Sequence, residues 1–151
     1  MFDTVVIATD GSESVERAVT VALDLAARFD AEVHALYVID DSDVGGSPEQ
    51  VRDQLRDALE DAGEEALETV VDHADRAVDT AVREGKPVRE ICQYAEDFDA
   101  DVIAMGTRGR HGEHSFLLGS VAEGIVRRCP TPVLTVRQLD ADEEATADMR
   151  A

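Results

Sequence analysis

The stretch from Gly106 to Ser120 reads GTRGRHGEHSFLLGS, with four glycines and two arginines in fifteen residues, in a chain whose formal net charge is -20. Glycine at Gly106, Gly109 and Gly119 frees the backbone to turn and lets a ligand come close to main-chain N–H groups. Apolar residues at helical spacing follow, and Ser120 stands where an N-cap would stand. The first N–H groups of such a helix have no partner inside it and carry the positive end of its dipole. That arrangement holds anions, phosphate above all. Arg108 and Arg110 add positive charge. The competing reading is a loop whose glycines serve only its turns and whose arginines pair with nearby acids. The position after a buried strand and before a capped helix favours anion binding.

His111 and His114 flank Glu113 in a His-x-x-His spacing. Zinc needs three or four converging ligands, and a loop offers no fixed face. Solvent-facing histidines are the better reading, and no metal site built from side chains is expected. A second group worth watching is Thr9-Asp10-Gly11, directly after the first apolar run. No nucleophile elbow and no P-loop lysine are present.

These residues need elements to position them. TVVIA (Thr4 to Ala8) is a short continuous apolar run, as in a strand buried on both faces. A helix follows through Val15, Ala18, Val19, Ala22, Leu25, Ala26 and Phe29, with Ser12 or Ser14 as its cap. EVHALYVID is a second strand, and DSDVGGSP reads as a loop. A long acidic helix spans Pro48 to about Ala74. RAVDTAVREG holds a third, more polar strand, expected at an edge. KPVREICQYAEDF is a helix with Pro87 in its first turn, where a missing N–H costs nothing. ADVIAMG is a fourth buried strand. SVAEGIVRRC is a helix ending in two arginines that suit its dipole, and PVLTVR is a fifth strand. Strands alternating with helices in this way predict a single-domain α/β fold with a parallel sheet covered on both faces. Ligands of such sheets bind beyond the carboxyl ends of the strands, where the strand order reverses. If the first and fourth strands are neighbours there, Asp10 and Gly106 face each other across one crevice.

Composition narrows the function classes. Acidic residues number 34 against 14 basic ones, and Lys86 is the one lysine. Such a surface repels phosphodiesters and anionic lipid, so neither nucleic acid nor membrane is expected as a partner. Near absence of lysine with abundant Asp, Ala and Val fits a protein adapted to molar salt, where screening shortens to about 3 Å. Aromatic residues are 4%, so the core must be aliphatic. Cys92 and Cys129 stand far apart with no metal-like spacing, and two buried reduced thiols are expected. Cys92 shares a helical face with Val88, Ala95 and Phe98. His34 lies in a buried strand, as a hydrogen-bonded core or boundary residue. The opening residues have no basic, apolar leader pattern, which points to the cytoplasm. The tail 138–151 is polar and acidic and reads as disordered, leaving 1–137 as the folded domain.

The segment GTRGRHGEHSFLLGSVAEGIVRRCPTPVLTVR resembles the signature of the universal stress protein family. Its pattern of Gly, two residues, Gly, nine residues, Gly-Ser fits at Gly106, Gly109, Gly119 and Ser120. VVIATDGSESVERAV resembles the family's first strand and helix, and the likeness runs from about Met1 to Arg137. It implies sheet order 3-2-1-4-5, a Rossmann-like fold and, in the ATP-binding branch, an adenine nucleotide at the crevice. Asp10 and Val38 would then meet the adenine, and Gly106 the ribose. Gly109, Gly119, Ser120 and the N–H of Val121 would hold the phosphates, with Mg or Mn bound through them. Thr9, Met105, Arg108 and Arg110 complete the implied nucleotide-binding set. Glu113 departs from the neutral or apolar residue expected there. The resemblance also implies a homodimer in which the last strand pairs with its copy through Val133, Leu134 and Val136. The function implied is that of an ATP- or AMP-binding stress-response regulator or sensor. The alternatives are a non-nucleotide-binding interaction protein of the same fold and a slow ATPase. No general base is evident beside the phosphates, which argues against fast catalysis.

Overall fold

The computed structural model describes residues 2–107 and 118–139. Five strands form one parallel sheet: β1 (Thr4–Ala8), β2 (Glu32–Asp40), β3 (Val78–Gly85), β4 (Val102–Gly106) and β5 (Val133–Val136). Their order is β3-β2-β1-β4-β5, as expected. β1 and β4 are buried along their whole length, which is why both read as unbroken apolar runs. β3 is an edge strand with alternating half-buried and exposed positions, hence its polar sequence.

Helices cover both faces. α1 (Glu16–Phe29) and α3 (Glu49–His73) pack Val19, Ala22, Ala66, Leu67 and Val70 on one face, against Val5, Ile7, Val33 and Ala35. α4 (Pro87–Asp97) and α5 (Ser120–Arg128) pack Ile91, Tyr94, Ala122 and Ile125 on the other, against Val6, Leu36 and Ile103. The period-2 alternation of the strands sends successive side chains to these two cores. His34 falls on the α4 face, is buried, and its Nδ1 lies 2.9 Å from the Tyr94 hydroxyl, as a hydrogen-bonded core histidine should. Phe98 is not a core residue of that helix; it caps the C-terminus of α4, is 44% exposed, and stacks on His34 and Tyr94.

Three local expectations need correction. DSDVG is not a loop but a short helix, α2 (Asp41–Gly45), because Asp40 Oδ1 accepts from the Ser42 N–H at 3.0 Å and caps it. Neither Ser12 nor Ser14 caps α1. Its entry runs through a 3-10 turn (Glu13–Val15), and Ser12 gives its hydroxyl to Asp10 instead. The two cysteines are not separate thiols: Cys92 on α4 and Cys129, the residue after α5, form a disulfide with Cα atoms 5.4 Å apart. They are 37 residues apart in the chain, yet β3-α4-β4-α5 topology lays α4 and α5 side by side on one face. The approach is close, since a Cβ on Gly124 would stand 2.7 Å from Val88 Cγ2. Among the described residues no helix is long and apolar enough to cross a membrane. Of the tail, Gln138 is described, and its Oε1 accepts from the Arg17 N–H at 3.0 Å; residues 140–151 lie outside the described residues.

Candidate functional site

β1 sits between β2 and β4 in parallel register with both (Ile7 opposite Ala35 and Ala104), so β1 and β4 end within a residue of each other while β2 runs on to Asp40 beside them. Strand order reverses there, because the chain leaves β1 toward β2 and returns to β4 on the far side.

The turn after β1 is built by its own polar atoms. Thr9 is buried; its N–H donates to the Leu36 carbonyl at 3.0 Å, and its Oγ1 accepts from the Gly11 N–H at 3.1 Å. Asp10 Oδ1 accepts from both the N–H and the hydroxyl of Ser12, at 2.9 and 2.6 Å. Gly11 has φ +78°, and a Cβ there would stand 3.1 Å from Ala66 Cβ, so this position needs glycine on two counts. One oxygen of Asp10 thus fixes the turn. The carboxylate is only half-buried. A cavity of about 170 Å³ opens beside this turn on the α1/α3 side, lined among others by Thr9, Ser12, Glu13, Thr69 and His73.

On the other side of the reversal, the chain leaves β4 at Gly106. Thr107 donates its N–H to the Val136 carbonyl at 3.2 Å, and the Gly119 N–H returns to the Thr107 carbonyl at 2.6 Å. The intervening segment therefore starts and finishes at one point. Gly119, not Ser120, is the N-cap of α5; Ser120 is its first helical residue. Gly119 has φ -63° and no side chain to cap with, so its glycine character here is not a matter of positive φ. The first N–H to find a partner within the helix is that of Glu123, bonded to the Gly119 carbonyl at 2.9 Å. The N–H groups of Ser120, Val121 and Ala122 have no acceptor one turn back and carry the positive end of the dipole.

Between the two halves lies an apolar floor. Ala8, Val38, Met105 and Val121 all belong to the core on the α4/α5 face. The structure thus gathers Thr9, Asp10, Val38, Met105, Gly106, Gly119, Ser120 and Val121 at one edge. Arg108, Gly109 and Arg110, like His111, Glu113 and His114, lie outside the described residues. Sequence reasoning missed Ser12, which holds the Asp10 carboxylate, and Thr107, which closes the loop. The Asp-x-Ser spacing, repeated at Asp40 and Ser42 with bonds of 3.0 and 2.7 Å, is the signal for the first. No group of three or more His, Cys, Asp or Glu that could hold a metal occurs among the described residues. The one buried phenol with a resolved shift, Tyr94, is raised above its ordinary value by burial; it sits beside His34, in the sheet's interior rather than at this edge.

The chain as a whole is similar to known proteins. A model described as the universal stress protein family matches residues 1–137. The universal stress protein MJ0531 of Methanocaldococcus jannaschii is 39% identical over 142 residues, covering 91% of this chain and 84% of that protein. Among solved structures, hypothetical protein MJ0577 superposes with a TM-score of 0.81 at 28% identity, covering 93% of this chain and 99% of that one. A universal stress protein in complex with cAMP superposes with a TM-score of 0.66 at 26% identity, covering 90% and 97% of the two chains. The chain belongs to the universal stress protein family.

Proposed function

We propose that this protein binds an adenine nucleotide, ATP before AMP, at the edge between β1 and β4, and acts as a sensor or regulator rather than as a fast catalyst. The observation that carries this reading is the uncapped N-terminus of α5, held by the Gly119–Thr107 hydrogen bond beside the ends of β1 and β4. Three N–H groups in one turn with no acceptor inside the helix suit an anion held by short contacts. Short contacts matter here, because a chain of net charge -20 offers a phosphate little long-range attraction. Gly109, Gly119, Ser120 and the Val121 N–H hold the phosphates in this reading, with Arg108 and Arg110 alongside. The half-buried Asp10 and the apolar Val38 meet the base, and Gly106 backs the ribose. A divalent cation, Mg or Mn, would ride on the phosphates in this reading. The cAMP complex of a relative that shares the fold at 26% identity supports an adenine ligand.

The same reading makes the protein a cytoplasmic homodimer. β5 is an edge strand. Its Pro132 and Val136 carbonyls serve β4, so the alternate residues Val133 and Thr135 turn their amides to the open side. Val136 is buried within the chain and Leu134 packs on the α1/α3 core. Pairing with a second copy therefore runs through the backbone of this edge, with Val133 beside it. Mass spectrometry of gently purified protein tests the ligand. Bound ATP or AMP is the expected result; protein that carries no nucleotide and takes up none would leave an interaction protein of the same fold.

A further inference from the structure

Cys92 and Cys129 have a place in the fold that packing alone does not require. Cys92 lies in the middle of α4, and Cys129 follows the last residue of α5. The 37-residue span between them contains β4, residues 106–119 and all of α5. Every phosphate-side residue of the proposed site therefore lies inside one covalent ring, and the turn after β1 lies outside it. Both cysteines are half-buried, within reach of a small thiol. We infer that this disulfide is a redox-controlled clasp that holds the N-terminus of α5 in its anion-binding position.

The mechanical link is short. α5 has nine residues, about 13 Å of rigid helix. Its C-terminal end is tied to α4 by the disulfide, and its middle is pressed on α4 where Gly124 meets Val88. Its fully buried apolar side chains are Ala122 and Ile125, with Val121 partly buried beside them. With so few apolar anchors, the covalent tie is a large part of what keeps the helix seated. Opening it restores chain entropy to every locally unfolded form of the ring and so raises their population. A ligand that binds only the seated form loses affinity in proportion. The chemistry balances with an external dithiol: its thiolate attacks one sulfur, and its second thiol resolves the mixed disulfide. Two protein thiols and one external disulfide result.

The control of nucleotide affinity rests on the function proposed above, whereas the clasp itself does not, and the test separates them. The full-length protein is equilibrated with oxidised glutathione or with dithiothreitol, thiols are counted by alkylation and mass spectrometry, and amide exchange is followed alongside ATP calorimetry. Exchange at Gly119–Glu123 should be at least about tenfold slower in the oxidised form, with α1 and α3 unchanged. Cys92→Ala should show the fast pattern in both buffers. ATP affinity should fall about threefold or more on reduction, and ATP should slow reduction of the disulfide. Failure of the disulfide to form, an equal exchange rate in both forms, or a change spread evenly over the chain would overturn the clasp. Equal ATP affinity in the two forms would overturn its control of the site. The exchange contrast without nucleotide binding in either form would keep the clasp and remove the nucleotide reading.

Discussion

At the scale of single residues, the polar atoms of the Asp10–Ser12 turn and the Gly119 N-cap shape the edge of the candidate site, where a shift of one residue changes which groups are open. Ser120 was legible as the start of a helix, but one residue decides whether a side chain or an empty position faces the proposed anion. Glycine at the N-cap leaves the N–H groups open, where a serine oxygen would compete for one of them. Asp10 was legible as a polar residue in the turn after β1, whereas its hydroxyl partner Ser12 was read as a helix cap, since both roles draw on the same residue type. Away from the site, the buried Tyr94 phenol makes a pH prediction. Burial raises its pKa above the ordinary 10.0, so the folded chain keeps that proton to higher pH than the unfolded chain does. The contribution is fully present below pH 10.0 and is lost as pH rises through the folded value. Tyr94→Phe should flatten that alkaline decline in stability. At neutral pH it should cost about 1–3 kcal/mol, because His34 Nδ1 is left buried without its partner. Denaturant melts from pH 7 to 11 check both.

At the scale of elements, hydrophobic period and turn chemistry carried most of the assignment. The runs of β1 and β4 show no alternation, and this is the mark of strands covered on both faces. α3 was harder to read along its length. Its apolar positions from Val51 onward follow one helical stripe, yet only Gly63, Ala66, Leu67 and Val70 are buried, and Val51 is 41% exposed. Periodicity marks a face but not how far the sheet extends beneath it. Gly63 shows what packing adds. A Cβ there would stand 2.6 Å from Cδ1 of Tyr37, whose ring is fully buried. Alanine gains about 1 kcal/mol of helix propensity over glycine, and overpacking costs about 1–3 kcal/mol. Gly63→Ala should therefore destabilise by up to about 2 kcal/mol in urea melts, against the propensity order. The disulfide was not legible because spacing along the chain says nothing of two helices laid side by side by consecutive crossovers.

For the whole molecule, charge and edges decide behaviour. With 34 acidic and 14 basic residues, carboxylate repulsion opposes the compact state when salt is low. The melting temperature should rise as KCl goes from tenths of molar to molar, and a flat or falling trend would count against salt adaptation. At the open edge of β5, Thr135→Pro removes an outward N–H that β4 does not use, a substitution edge strands tolerate. The variant should remain folded and be monomeric in light scattering, whereas the proposed pairing predicts a dimer for the wild type. The parallel sheet was legible because strands alternate with helices along the chain, whereas its order came only from the family resemblance, since alternation alone does not say which strands are neighbours. The central claim is that main-chain N–H groups at the start of α5 hold the phosphates. Ser120→Pro addresses it most directly. Proline is welcome at the first helical position and is pre-organised for it, and the extended Gly119 before it is compatible, so the fold should stand. The substitution removes one N–H from the turn, and Ser120→Ala controls for the hydroxyl. A hydrogen bond to a charged group contributes about 1.5–3 kcal/mol, so calorimetry with ATP should show affinity lowered roughly 10- to 100-fold in Ser120→Pro. Ser120→Ala should stay near wild type. Equal ATP affinity in wild type and Ser120→Pro would contradict the claim.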